Sequence, residues 1–138
     1  MSLYLLDSCI LIDCLRGRAG TVAVVREYLA SGAVLASCAV TLAEVAGGMR
    51  DSERMATLAF LDSLHYLPTS QAAAREAGVW QSAFRSAGKT LTTSDCLVAA
   101  TAADHSAVLV TDNVRDFPQP GLRVLSPARH GTVDESDR

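Results

Sequence analysis

Apolar residues in this chain follow two rhythms, and their alternation predicts the architecture. Unbroken runs stand at Leu3-Tyr4-Leu5-Leu6, Ala33-Val34-Leu35-Ala36 and Ala107-Val108-Leu109-Val110, with weaker ones at His65-Tyr66-Leu67 and Leu122-Arg123-Val124-Leu125. Such short runs suit strands buried on both faces, as in a parallel sheet. Helical spacing takes over between them. Ile10, Leu11, Ile12 and Leu15 form a short helix stopped by Gly17, and Val22, Val25, Tyr28 and Leu29 share a face of a second that ends at Gly32. Another helix begins at about Thr41 and loosens at Gly47-Gly48, and Met55, Leu58, Leu61 and Leu64 mark the next. Ser70 caps a long helix through Ala73, Ala77, Trp80 and Phe84, and Cys96 to Ala102 form a helix of small residues. Strands alternating with helices predict a single α/β domain over residues 1–127 with a mainly parallel sheet of four to five strands. The run at Leu122 is expected at the sheet edge, and the polar residues 128–138 as a frayed tail.

Two of the buried runs end on acids, Asp7 after the first and Thr111-Asp112 after the fourth. The carboxyl ends of parallel strands are where open α/β sheets gather ligands. Asp7 is also a natural helix cap, and Thr41-x-x-Glu44 has the spacing of a capping box. Asp95 falls where a first-turn acid is favoured by the helix dipole, and turn formation accounts for Asp112 and Asp116. Each acid has a local explanation, but two strands delivering acids to one edge, with two more at helix starts, describe a site. Crowded carboxylates raise one another's pKa, and a hard divalent cation relieves them. With substrate phosphate as a further ligand, that chemistry is phosphoryl displacement by activated water. Other chemistries lack their motifs: there is no phosphate-binding Gly-x-x-x-x-Gly-Lys loop, no Gly-x-Gly-x-x-Gly after the first strand, no Gly-x-Ser-x-Gly elbow, and no metal spacing among His65, His105 and His130.

Composition adjusts this picture only slightly. A mean hydropathy of +0.22 with 49% hydrophobic residues among 138 allows a real core. The net charge of −3 argues against a strongly basic, nonspecific DNA binder, while eleven of the twelve bases are arginine, the residue suited to bidentate phosphate contacts. Cys9, Cys14, Cys38 and Cys96 contain no Cys-x-x-Cys pair and read as reduced thiols. No apolar run is long enough to span a membrane, and the first strand starts without a basic leader, so a cytoplasmic protein is expected.

The ordered set of motifs resembles the PIN-domain ribonucleases. Leu5-Leu6-Asp7-Ser8-Cys9-Ile10-Leu11-Ile12 is similar to their opening, Thr41-Leu42-Ala43-Glu44 to their Thr-x-x-Glu element, and Asp95-Cys96-Leu97-Val98-Ala99-Ala100-Thr101-Ala102 to their third acid and its small-residue helix. Leu109 to Phe117 resembles their closing Thr-x-Asn-x-x-Asp-Phe element. Cys9 stands where serine, threonine or asparagine is commoner. The size and early start resemble the VapC-type toxins of type II toxin–antitoxin pairs.

The resemblance implies a central sheet with the first strand in the middle and helices on both faces. It implies Mg²⁺ or Mn²⁺ held by Asp7, Glu44, Asp95 and an acid of the last motif, where Asp112, Asn113 and Asp116 compete. Asp116 is the favoured catalytic and metal residue there, Asp112 a second metal contributor and Asn113 a polar orienter, with Ser8, Thr41 and Thr111 as supporting donors. It further implies an RNA substrate, a VapB-type antitoxin partner and a homodimer. The alternatives are a DNA-directed or structure-specific nuclease of the same fold, and a PIN-like module that binds a partner without catalysis.

Overall fold

The computed structural model describes residues 2–138. Its strands are β1 (Leu3–Leu6), β2 (Val34–Cys38), β3 (His65–Leu67), β4 (Val108–Val110), β5 (Val124–Ser126) and β6 (Gly131–Val133). They form one sheet in the order β3-β2-β1-β4-β5-β6, parallel throughout except for β6, which runs antiparallel to β5. The helices are α1 (Ser8–Leu15), α2 (Ala19–Ala30), α3 (Ala39–Gly48), α4 (Arg54–Asp62), α5 (Gln71–Ser86) and α6 (Thr93–Asp104), with short 3₁₀ turns between several elements.

The unbroken apolar run of β1 follows from its place near the middle of the sheet. Leu5 and Leu6 are both fully buried but face opposite cores. Leu5 joins Val98, Ala99, Leu109 and Phe117, whereas Leu6 joins Ile10, Val25, Val45 and Val110. Each such leucine contributes roughly 1.5–3 kcal/mol of burial, so a polar residue at either position is excluded. The small side chains of α6 have a similar cause. Val98, Ala99 and Ala102 meet the sheet-side core while Cys96 and Ala100 meet Ala73 and Ala77 of α5. A helix covered on both sides is apolar all round, and its alanines let it approach closely.

From β1 the chain builds β2 and β3 on one side, then returns through α5 and α6 to place β4 on the other. The strand order therefore reverses between β1 and β4, and a crevice opens beyond their carboxyl ends. Asp7 and Thr111 stand at those two ends.

The sheet has one strand more than expected, and it comes from residues read as a frayed tail. β6 pairs with β5, so β5 is interior rather than at the edge. Val133 is 5% exposed and packs in the same core as Phe117 and Val124. Beyond it, Arg138 Nη1 donates to the Phe117 carbonyl (3.0 Å), and Glu135 Oε1 accepts the Gly121 N–H (2.7 Å). The segment's composition is polar, and only pairing with β5 gives its one buried valine a core. Among the described residues, no helix is long and apolar enough to cross a membrane.

Val133→Asp places an unpaired charge in that core, with an expected cost of at least about 2 kcal/mol. Thermal unfolding should show a drop of several degrees, whereas an unstructured tail would leave the melting temperature unchanged.

Candidate active site

β1 ends on Asp7, which is the N-cap of α1 and 4% exposed. Its N–H extends the β1–β4 ladder to the Val110 carbonyl (2.9 Å). Oδ1 accepts the Ser8 N–H at 2.9 Å, while Oδ2 accepts the Thr111 hydroxyl at 2.7 Å and has the Cys9 thiol at 3.7 Å. Thr111 is fully buried and also accepts the Asn113 N–H (3.0 Å), so its own proton is directed at Asp7. Burial pushes the Asp7 carboxyl above its usual range. Thr111, Ser8 and Cys9 pull it back, and the charge of Asp116 pushes it further up. Cap and site residue are thus the same: one oxygen serves the helix, and the other is held by Thr111 and Cys9. Burial and the adjacent Asp7 push the Cys9 thiol up to about 11, so at neutral pH it is a protonated, weak donor.

One expected cap is displaced, whereas Asp95 is the first-turn acid expected of it. α3 begins at Ala39, so Cys38 is the N-cap and Thr41 occupies the third helical position. The Thr41 hydroxyl accepts the Cys38 N–H at 3.0 Å and donates to the Cys38 carbonyl at 3.1 Å. Thr41 therefore fastens the helix start and, contrary to expectation, supports no acid directly. Glu44 is released from the capping box and lies exposed near Ser8 and Asp7. Partial cover raises its carboxyl, Asp7 adds to the rise, and the Ser8 hydroxyl lowers it. The cap of α6 is Thr92, whose hydroxyl accepts the Asp95 N–H (3.1 Å). The Asp95 carboxyl is pushed up to about 6, first by burial and then by Asp116, Asp7 and Glu44, against a lowering by Thr92.

The turn after β4 divides its two acids. Asp116 closes a 3₁₀ turn, Val114–Asp116, whose next residue Phe117 is fully buried and anchors it. Asp116 raises both Asp7 and Asp95. Asp112 turns toward the other end of the chain, where Oδ1 accepts the Ser126 hydroxyl (2.8 Å) and the Ala128 N–H (2.9 Å). Its charge acts on Cys9 and Tyr28. Asp112 thus holds the segment after β5, and Asp116 is the acid this turn adds to the group. Arg115 and Arg129 line the same cavity as Asp116. Arg129 lies in the polar stretch 128–138, whose composition predicts a tail and gives no sign of a site residue.

Asp7, Glu44, Asp95 and Asp116 offer only hard carboxylate oxygens; the charge of Asp116 disfavours the ionised form of Asp7, that of Asp7 the ionised form of Glu44, and all three that of Asp95. That donor set fits a hard divalent cation. The oxygens are not drawn together on their own: among the described residues, no three His, Cys, Asp or Glu side chains already form a group that could hold an ion. Like charges favour such a splayed arrangement, and a cation's charge would close it.

The Asp95 shift has a measurable sign. The folded state keeps a proton that the unfolded chain releases between the ordinary value of 3.8 and about 6. In metal-free protein, stability from this group is present below that window and lost as pH rises through it. Asp95→Asn should melt with wild type at pH below 3.8 and above it at neutral pH, the gap opening across the window. A neutral-pH melting temperature below wild type would make Asp95 a structural acid instead.

A family model described as the PIN domain matches residues 4–121. Ribonuclease VapC10 of Mycobacterium tuberculosis is 36% identical over 119 residues, covering 84% of this chain and 86% of that protein. Ribonuclease VapC19 of the same species is 32% identical over 114 residues, covering 83% and 91%. Among solved structures, a toxin–antitoxin complex from Klebsiella pneumoniae superposes with a TM-score of 0.71 at 27% identity, covering 90% of this chain and 97% of that one. With fold, motif order and the acids at the β1–β4 crevice in agreement, the chain belongs to the PIN-domain family and is of the VapC type.

Proposed function

We propose that this protein is a divalent-metal-dependent endoribonuclease and the toxin of a toxin–antitoxin pair, acting in the cytoplasm as a homodimer. The nuclease reading is carried by the placement of four acids around the sheet's switch point, with Asp7 ending β1, Glu44 on α3, Asp95 in the first turn of α6 and Asp116 in the turn after β4, close enough that Asp7, Glu44 and Asp116 all raise the Asp95 carboxyl. Its relatives VapC10 and VapC19 are named ribonucleases, which supports RNA as the substrate.

In this reading Asp7, Glu44, Asp95 and Asp116 hold Mg²⁺ or Mn²⁺. Bound there, the ion supplies a water of lowered pKa and neutralises charge on the phosphate under attack. The chain's own contribution is placement. Thr111 and the Ser8 N–H fix both oxygens of Asp7, so this buried carboxylate meets its ligand in one orientation.

The toxin reading draws on the Klebsiella relative, which is a toxin–antitoxin complex. It also draws on a groove of about 640 Å³ lined by Val25 and Leu29 of α2, Phe60 of α4, and Leu64. Leu29 is 54% exposed, so an amphipathic helix of an antitoxin would find an apolar anchor there.

Purified protein is expected to cleave RNA with Mg²⁺ or Mn²⁺ and to stop in EDTA. Cleavage that persists in EDTA, or a clear preference for DNA, contradicts the reading. Thr111→Val should lower activity by about 10- to 100-fold, the usual cost of removing a group that orients a metal ligand. Asp7→Asn, Asp95→Asn and Asp116→Asn should lower it further. Asp112→Asn should not follow them, because a single amide oxygen can still accept both hydrogen bonds now made to Oδ1. Growth arrest on expression of the chain alone, relieved by a co-expressed antitoxin, tests the toxin role; harmless expression of an active nuclease opposes it.

A further inference from the structure

An acidic centre attracts metal ions but repels the RNA backbone, and the chain as a whole carries a charge of −3. Beyond what a bound ion supplies, phosphate affinity has to come from cationic side chains beside the acids. Several of the arginines are committed elsewhere. Arg18 pairs with Asp13, Arg138 approaches Glu135 and bonds the Phe117 carbonyl, and Arg123 donates to the Ser106 carbonyl. Arg115 and Arg129 instead line one cavity of about 310 Å³ together with Asn113 and Asp116. Both are exposed, and among the described residues neither forms an ion pair.

The two come from distant parts of the chain, and Asp112 sets the place of the second. Arg129 ends the 3₁₀ turn Pro127–Arg129, whose Pro127 is buried. That turn is held by the Ser126 hydroxyl and the Ala128 N–H, both donating to Asp112 Oδ1, while the Ser126 oxygen accepts the Arg129 N–H at 3.4 Å. An acid one residue beyond Thr111 thereby fixes an arginine onto the wall that carries Asp116.

We propose that Arg115 and Arg129 form a phosphate clamp that holds the RNA backbone next to the acid group, with Asp112 as the positioning residue for Arg129. This rests on the nuclease reading for its substrate but adds a separate binding determinant. The planar guanidinium fork grips a phosphate through paired N–H donors, and two forks facing one cavity fix the path of the strand. The clamp reads backbone charge and carries no base preference of its own.

The test is the salt dependence of binding, measured by fluorescence anisotropy of a short labelled oligouridylate in EDTA. Arg115→Gln and Arg129→Gln should each weaken binding severalfold and reduce the slope of log affinity against log salt by about 0.7, one single-strand phosphate contact. Arg115→Lys and Arg129→Lys should keep the slope. Asp112→Ala should reproduce the loss seen in Arg129→Gln, whereas Asp112→Asn, which keeps an accepting oxygen, should bind as wild type. Slopes unchanged in both glutamine variants, or no binding by the native chain, overturn the clamp, and equal damage from Asp112→Asn and Asp112→Ala overturns its positioning part. Cleavage by the same native preparation separates the two ideas. An active nuclease with unchanged slopes refutes the arginines alone, and an inactive chain with the expected slopes refutes only the nuclease reading.

Discussion

A nearly buried carboxylate at the end of β1 is the constraint to which the rest of the site answers. Leaving Asp7 charged and unpaired there would cost several kcal/mol, so the surrounding structure supplies donors. Thr111 comes from the neighbouring parallel strand, Ser8 from the first turn of α1 and Cys9 from the next residue. The β1–β4 pairing has to hold its register for this, because a slip of one residue would turn Thr111 to the other face of the sheet. Fold and site are therefore one problem at this point. The ladder bond from the Asp7 N–H to the Val110 carbonyl is part of both.

The remaining acids are arranged around that fixed point with decreasing burial. Asp95 is partly buried on α6, whereas Glu44 and Asp116 are exposed. Such a gradient keeps a charge-neutralising ligand at the mouth of the crevice rather than inside the core. The turn after β4 separates its acids by function. Asp116 faces the group, and Asp112 ties the end of the sheet to the turn bearing Arg129. One short segment thus sets both the negative centre and a positive wall beside it.

The parts that were legible in the sequence are those set by local physics. Continuous apolar runs marked β1 and β4 because both strands are buried on two faces, and the acids that follow them stood out against that background. The alanines of α6 likewise recorded a helix covered on both sides. Strand order was not legible from residue pattern alone, since the reversal between β1 and β4 depends on contacts about a hundred residues apart. β6 escaped notice for the same reason: Gly131, Thr132 and Val133 look like tail until β5 is placed beside them. At the site, the roles of Thr41 and Glu44 turned on where α3 begins. With Cys38 rather than Thr41 as the N-cap, Thr41 fastens the helix start and Glu44 is freed, a shift of three residues that composition does not signal. Asp112 and Asp116 sit four residues apart with similar local propensities, and only Ser126 and Ala128, distant in sequence, separate them.

If Asp7, Glu44, Asp95 and Asp116 share one electrostatic field, carboxyl-carbon NMR titration of Asp95 in the metal-free protein will register it. The expected midpoint lies near the raised value of about 6, moving down when Asp116→Asn removes a neighbouring charge and again when Mg²⁺ is added to the native chain. A midpoint at the ordinary 3.8, indifferent to both changes, would contradict it.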